Sequence, residues 1–235
     1  MERPRRRTAP RPALLLACAV AVPAMLLAGC SSGGGSGSDD SDASKGTAGS
    51  ATPTTPALAP AKYADLPGGC ATVGKATVAA LVPKAKTAGG TPALTDDTAT
   101  RAGCSWTGNG SDGFQYRWLS VTLQRFTSSA TTSAEQQAKE RFTDQVALLG
   151  KVPGAATSAV TRIGDQASSV TAKATVAKVT SQNDTLVARV GNVVVIVEYN
   201  GAGLVGKKNP TASVVRTGAE RAAKDVVTAI VGANS

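Results

Sequence analysis

Four cysteines and no histidine set the chemistry open to this chain of 235 residues. Without histidine there is no Ser-His-Asp or Cys-His relay, and the commonest zinc ligand is missing. The thiols divide by position. Cys18 lies inside an apolar run near the start, and Cys30 follows that run directly after Leu27, Ala28 and Gly29. Cys70 and Cys104 stand in the body of the chain, far from the C-x-x-C spacing of redox pairs. In an exported domain such a pair is expected to form a structural disulfide. Closing that loop stabilises a fold by about 4 kcal/mol in the chain-entropy treatment. The alternatives, a redox pair or a thiol nucleophile, lack both the spacing and an activating base.

Other routes to catalysis leave little trace. The body of the chain has no G-x-S-x-G, no S-x-x-K and no aspartate-rich calcium loop. Asp165, Glu198 and Glu220 are scattered acids and read as surface charge or turn residues; Asp39, Asp40 and Asp42 read as solvated. Gly69 to Lys75 matches the spacing of a phosphate loop, but Ala76 stands where the magnesium-holding hydroxyl belongs, and Pro67-Gly68 precedes it instead of a strand. No cofactor and no metal are expected. Trp106 and Trp118, with Tyr116 beside the second, offer either a pocket for an apolar or carbohydrate ligand or simple packing in an aromatic-poor core.

The front of the chain carries the most specific signal. Five arginines and one acid precede an uncharged apolar stretch, Ala13 to Leu27. That stretch is shorter than the roughly 20 residues a spanning helix needs, so it reads as a secretory signal peptide over 1–29. Leu27-Ala28-Gly29-Cys30 resembles the lipobox of bacterial lipoproteins. The resemblance implies a diacylglyceryl group on the Cys30 thiol and cleavage between Gly29 and Cys30. Two acyl chains give firm anchoring, because each buried CH₂ contributes about 0.8 kcal/mol. Beyond the signal the chain holds 20 basic and 15 acidic side chains, a net of +5 without clusters. A nucleic-acid partner needs a basic footprint, and none is present.

Residues 30–66 are Gly, Ser, Asp, Thr, Ala and Pro, a tether with too little apolar surface to fold. One globular domain is expected over 67–235. Val73, Ala76, Ala80 and Leu81 suggest a short helix stopped by Pro83. Leu119, Val121 and Leu123 alternate with polar residues as a half-buried strand does. Ser133 and Gln136 make a capping box ahead of a helical stripe, Ala138, Phe142, Val146 and Leu149, that ends at Gly150 and Pro153. Leu186–Val190 and Val193–Tyr199, separated by Gly191-Asn192, read as a hairpin. The second arm is apolar on both faces and is expected to be central. Val160–Ile163 and Ala174–Val179 are further strand candidates. Val215, Ala219, Ala222, Val226 and Ile230 recur at helical spacing after Pro210. The fold class is α+β, a mainly antiparallel sheet packed by helices.

Several of these motifs fall in a familiar order. The lipobox and tether are followed by Cys70-Ala71-Thr72 opening a short helix, Cys104-Ser105-Trp106, the Ile163-Gly164-Asp165-Gln166-Ala167 turn and the valine-rich hairpin at Gly191-Asn192. The arrangement resembles the actinobacterial cell-envelope lipoproteins of a "domain of unknown function" type with a Cys…Cys-x-Trp pattern. The resemblance spans most of 67–235 and implies a cell-envelope location and an α+β fold. It implies no activity and brings no catalytic residues. The expected function is a lipid-anchored, non-enzymatic binding module at the extracytoplasmic face of the membrane, whose partner is an envelope protein, polymer or small ligand. The alternatives are a carboxylate-dependent enzyme acting on envelope polymers, which requires two facing acids roughly 5 to 10 Å apart, and a lipid carrier, which requires an apolar cavity.

Overall fold

The computed structural model describes residues 60–235. The signal peptide, the lipobox with Cys30 and most of the tether lie outside the described residues.

Seven strands form one antiparallel sheet: β1 (Thr91–Pro92), β2 (Arg101–Asn109), β3 (Gln115–Arg125), β4 (Ala156–Ala159), β5 (Gln166–Val176), β6 (Val179–Val190) and β7 (Val193–Gly203). Their order across the sheet is β1-β2-β3-β7-β6-β5-β4. Three helices complete the domain, α1 (Lys75–Leu81), α2 (Ala134–Gly150) and α3 (Ala212–Gly232). This is the α+β class expected.

The position of β7 follows from its residues. Val193, Val194, Val195 and Val197 are all buried, so the strand must be covered on both faces. It lies between β3 and β6 with helices on either side. Val193, Val195 and Val197 pack with Leu119, Leu123 and Leu186 under α3, while Val194 and Val187 pack with Ala138 and Phe142 of α2. The short edges β1 and β4 limit edge-to-edge pairing with other chains.

Both long helices begin where their caps predict. Ser133 accepts from the Gln136 backbone N–H, and Thr211 accepts from that of Val214. Only half of the expected capping box forms, because the Gln136 side chain donates to Glu140 instead of reaching back. The α3 stripe is as expected, with Val215, Ala219, Ala222, Val226 and Ile230 fully buried. Gly218 and Ala223 add two more small residues to that face. They let the helix lie close on the sheet, which fills the core without large aromatics. A Cβ on Gly218 would meet the Tyr199 ring at 2.4 Å.

Three expectations need correction. Of the stripe expected for α1, Val73 and Leu81 are buried, but Ala76 and Ala80 are exposed and Thr77 and Val78 take the inner face instead. Val160–Ile163 is not a strand: β4 ends at Ala159 and a turn follows. Ala174–Val179 is not one strand but the tip of a hairpin between β5 and β6, turning at Ala177 and Lys178 with φ of 48° and 67°. The Gly191-Asn192 turn does join β6 and β7, with positive φ at Gly191 alone, as a II′ turn requires. Asp165 braces that turn by accepting from Gly191 N at 2.7 Å and from Arg189 at 3.1 Å.

The folded region also starts earlier than 67. Tyr63 is buried in the core and exchanges two hydrogen bonds with the Asn192 side chain, 2.8 Å from its N–H and 3.0 Å to its carbonyl. Asn192 also donates to the Phe126 carbonyl at 2.8 Å. One aromatic and one complementary amide therefore recruit the end of a polar segment. Asn192→Ala strands an N–H and two carbonyls, so it should cost about 2 to 4 kcal/mol. Urea denaturation should show a lower midpoint with an unchanged slope.

Candidate functional site

The expected disulfide is present. Cys70 and Cys104 are bonded, with their Cα atoms 4.9 Å apart. Cys70 sits in a single 3-10 turn, Gly69–Ala71, and Cys104 is buried in β2. Two glycines make the approach possible. A Cβ on Gly69 would lie 2.3 Å from the Gly103 carbonyl oxygen, so only bare backbone can come this near.

The chain then runs up α1 and returns through 83–90 to the same sheet edge. Lys86 N–H donates to Thr107 O at 2.9 Å, and the Lys84 carbonyl rests where a Cβ on Gly108 would be. Gly90 crosses the disulfide and the indole with φ +79°; a Cβ there would lie 2.3 Å from Cys104 Sγ and 2.7 Å from Trp106 Nε1. At the far end Tyr199 O–H donates to the Leu81 carbonyl at 2.7 Å, joining α1 to β7.

Between α1, the returning loop and β2 lies a cavity of about 480 Å³. Val73, Val78, Val82, the disulfide at Cys70 and the Trp106 ring line it, with Lys75 among the lining residues. Its size falls within the roughly 300 to 1,000 Å³ of small-molecule sites. Trp106 is 2% exposed, and its buried indole N–H has no hydrogen-bond partner. A buried donor left unpaired costs about 1 to 3 kcal/mol, and Gly90 lies against this one, where a Cβ would fall 2.7 Å from Nε1.

Trp118 does not share this pocket. Thr107 and Asn200 pair with it in the sheet, and alternation places it on the face opposite Trp106 and Leu119, where it is 40% exposed. The scattered acids also lie apart. Asp165 braces the β6–β7 turn, Glu220 pairs with Arg216 at 3.2 Å, and Glu198 accepts from Ser120 on the Trp118 face. The Gly69–Lys75 segment holds no phosphate loop, since Gly74 N–H donates to the Asp225 carboxylate at 3.0 Å. Among the described residues no group of three His, Cys, Asp or Glu side chains is placed to hold a metal ion.

One functional group escaped the sequence. Asp184 is fully buried; Ser169 and Thr171 donate to its Oδ1 at 2.6 and 2.7 Å, while Oδ2 has no partner. The signal was available in β6, where Gln182 and Asp184 occupy the same alternating face as Leu186. Without the extent of the strand, that alternation was not visible.

The chain matches no family model, no curated protein and no solved structure.

Burial pushes the Tyr199 phenol above its ordinary 10.0, against the opposing pull of Arg117. With a raised folded value, the phenol stays neutral in the fold after the unfolded chain has begun to ionise. Its contribution is whole below pH 10.0 and is lost as pH rises through the folded value. Tyr199→Phe should cost about 1 to 2 kcal/mol at neutral pH by stranding the Leu81 carbonyl, and should flatten the alkaline decline. Urea midpoints at neutral and alkaline pH check both effects.

Proposed function

We propose that this protein is an exported lipoprotein, anchored by a diacylglyceryl group on Cys30 at the extracytoplasmic face of the cell membrane, whose domain binds a small ligand without transforming it. The observation that carries the binding role is the cavity of about 480 Å³ between α1, the 83–90 loop and β2. Anchoring rests on the order of basic start, short apolar run, Leu27-Ala28-Gly29 and Cys30. The disulfide supports export, because such bonds persist in oxidising compartments.

An envelope-polymer hydrolase working through carboxylates finds less support. Asp165, Glu198 and Glu220 each have a separate partner, and none lines the cavity. A lipid carrier with a cavity between valine-rich strands is also poorly supported, since Val193, Val195 and Val197 are packed against α3.

The anchor is tested on the full chain. Wild-type protein should fractionate with membranes and yield a Cys30 peptide with acyl mass, and Cys30→Ser should lose both. A wild-type Cys30 peptide without acyl mass in membrane-bound protein would overturn the anchoring.

A further inference from the structure

We infer that a second cavity, between the end of α1 and the first half of α3, binds the phosphate group of a phosphomonoester. It measures about 460 Å³, and Pro83 is the one lining residue it shares with the cavity over the disulfide.

The sequence of β3 places a charge in its wall. Leu119, Val121 and Leu123 are buried under α3, and strand alternation puts Arg117 on that same face. Arg117 stands opposite Gly201 of β7, and bare backbone makes room for it: a Cβ on Gly201 would fall 2.5 Å from Nη1. Nη1 is buried without a hydrogen-bond partner, and neither ion pair of the described residues includes Arg117. That nitrogen lies over Gly201, but the charge is spread over the whole planar group, which is half-buried and lines the cavity. A cation drawn partly out of water without a counter-ion carries a desolvation cost that nothing in the fold offsets.

A second guanidinium lines the same space. Arg221 of α3 is exposed, and its Nε donates to the Thr77 hydroxyl at 3.3 Å. Its terminal amino groups have no acceptor among the described residues, and it too is outside both ion pairs. No acid lines the cavity. Asp112, in the β2–β3 turn, accepts from the Phe114 N–H at 2.9 Å and pairs with neither arginine. Ser111, Ser213 and Thr217 complete the wall with hydroxyl donors, and the first turn of α3 at Ser213 adds partial positive charge. Two guanidinium charges among several donors match a phosphomonoester, which offers three terminal oxygens and about two negative charges. A carboxylate, with a single charge, answers only half of them.

The test is calorimetry at low ionic strength on the full chain, extracted with its anchor into a neutral detergent. Glycerol 1-phosphate should bind, acetate should compete poorly, and glycerol should give no heat. Arg117→Gln and Arg221→Gln should each weaken binding about tenfold, as loss of one charge-assisted hydrogen bond does. Lys139→Gln, on the exposed side of α2, should leave it unchanged. Urea midpoints report whether the variants fold; if Arg117→Gln does not, the exposed Arg221 decides. Dihexanoyl phosphatidate separates the two sources of such a group. Its tighter binding marks a lipid headgroup, and tighter binding of glycerol 1-phosphate marks a soluble ester.

No binding of either ester overturns the proposal. So does an affinity unchanged in Arg221→Gln, or one reduced equally by Lys139→Gln, which would mean general attraction to a basic surface. Neither result bears on the cavity over the disulfide or on the anchor.

Discussion

Between Cys70 and Cys104 a covalent bond supplies what packing alone cannot at this corner of the sheet. The 3-10 turn has three residues and α1 has seven, too few to be stable as free helices. The bond fixes their start against β2, and Tyr199 fixes their end through the Leu81 carbonyl. Between these two points Val78 of α1, with Val73 before it and Val82 after it, lines the same cavity as Trp106. The cavity exists because that segment is pinned at both ends and does not collapse onto the indole.

The rest of the molecule is arranged so that this corner is the exception. Under α3 the core is dense, made from Val, Leu and Ala, and drawn close by Gly218 and Ala223. A chain with 3% aromatics cannot fill space with rings, so it brings its helix nearer the sheet. Trp106 is the largest fully buried side chain, and it lies at the edge of that dense region beneath a short helix and a glycine-bearing loop.

What could be read from the sequence depended on how local the governing interaction was. The β6–β7 hairpin, both long helices and the disulfide were legible, because Gly191, the Ser133 cap, the α3 periodicity and the cysteine arithmetic act over short range or by elimination. The β5–β6 hairpin was not, since it turns on Ala177 and Lys178, residues with no preference for positive φ. Tyr63 was missed because its place in the core depends on Asn192, 129 residues away. The site was half legible: Trp106 could be singled out by type, but its separation from Trp118 follows from the alternation of β2 and β3. The walls supplied by α1 depended on which of its faces was buried.

On the proposed reading, function divides between two ends of one chain. A greasy N-terminus would set where the domain works, and a pinned segment over an indole would set what it holds. The pinning is the claim on which the second half stands. Hydrogen exchange on the full chain, with and without selective reduction of Cys70–Cys104, tests it most directly. Amides of Val78–Val82 should then exchange faster by a larger factor than those of Leu119–Leu123 and Val193–Val197, as local opening requires. Equal acceleration in all three segments, or none in α1, would contradict it.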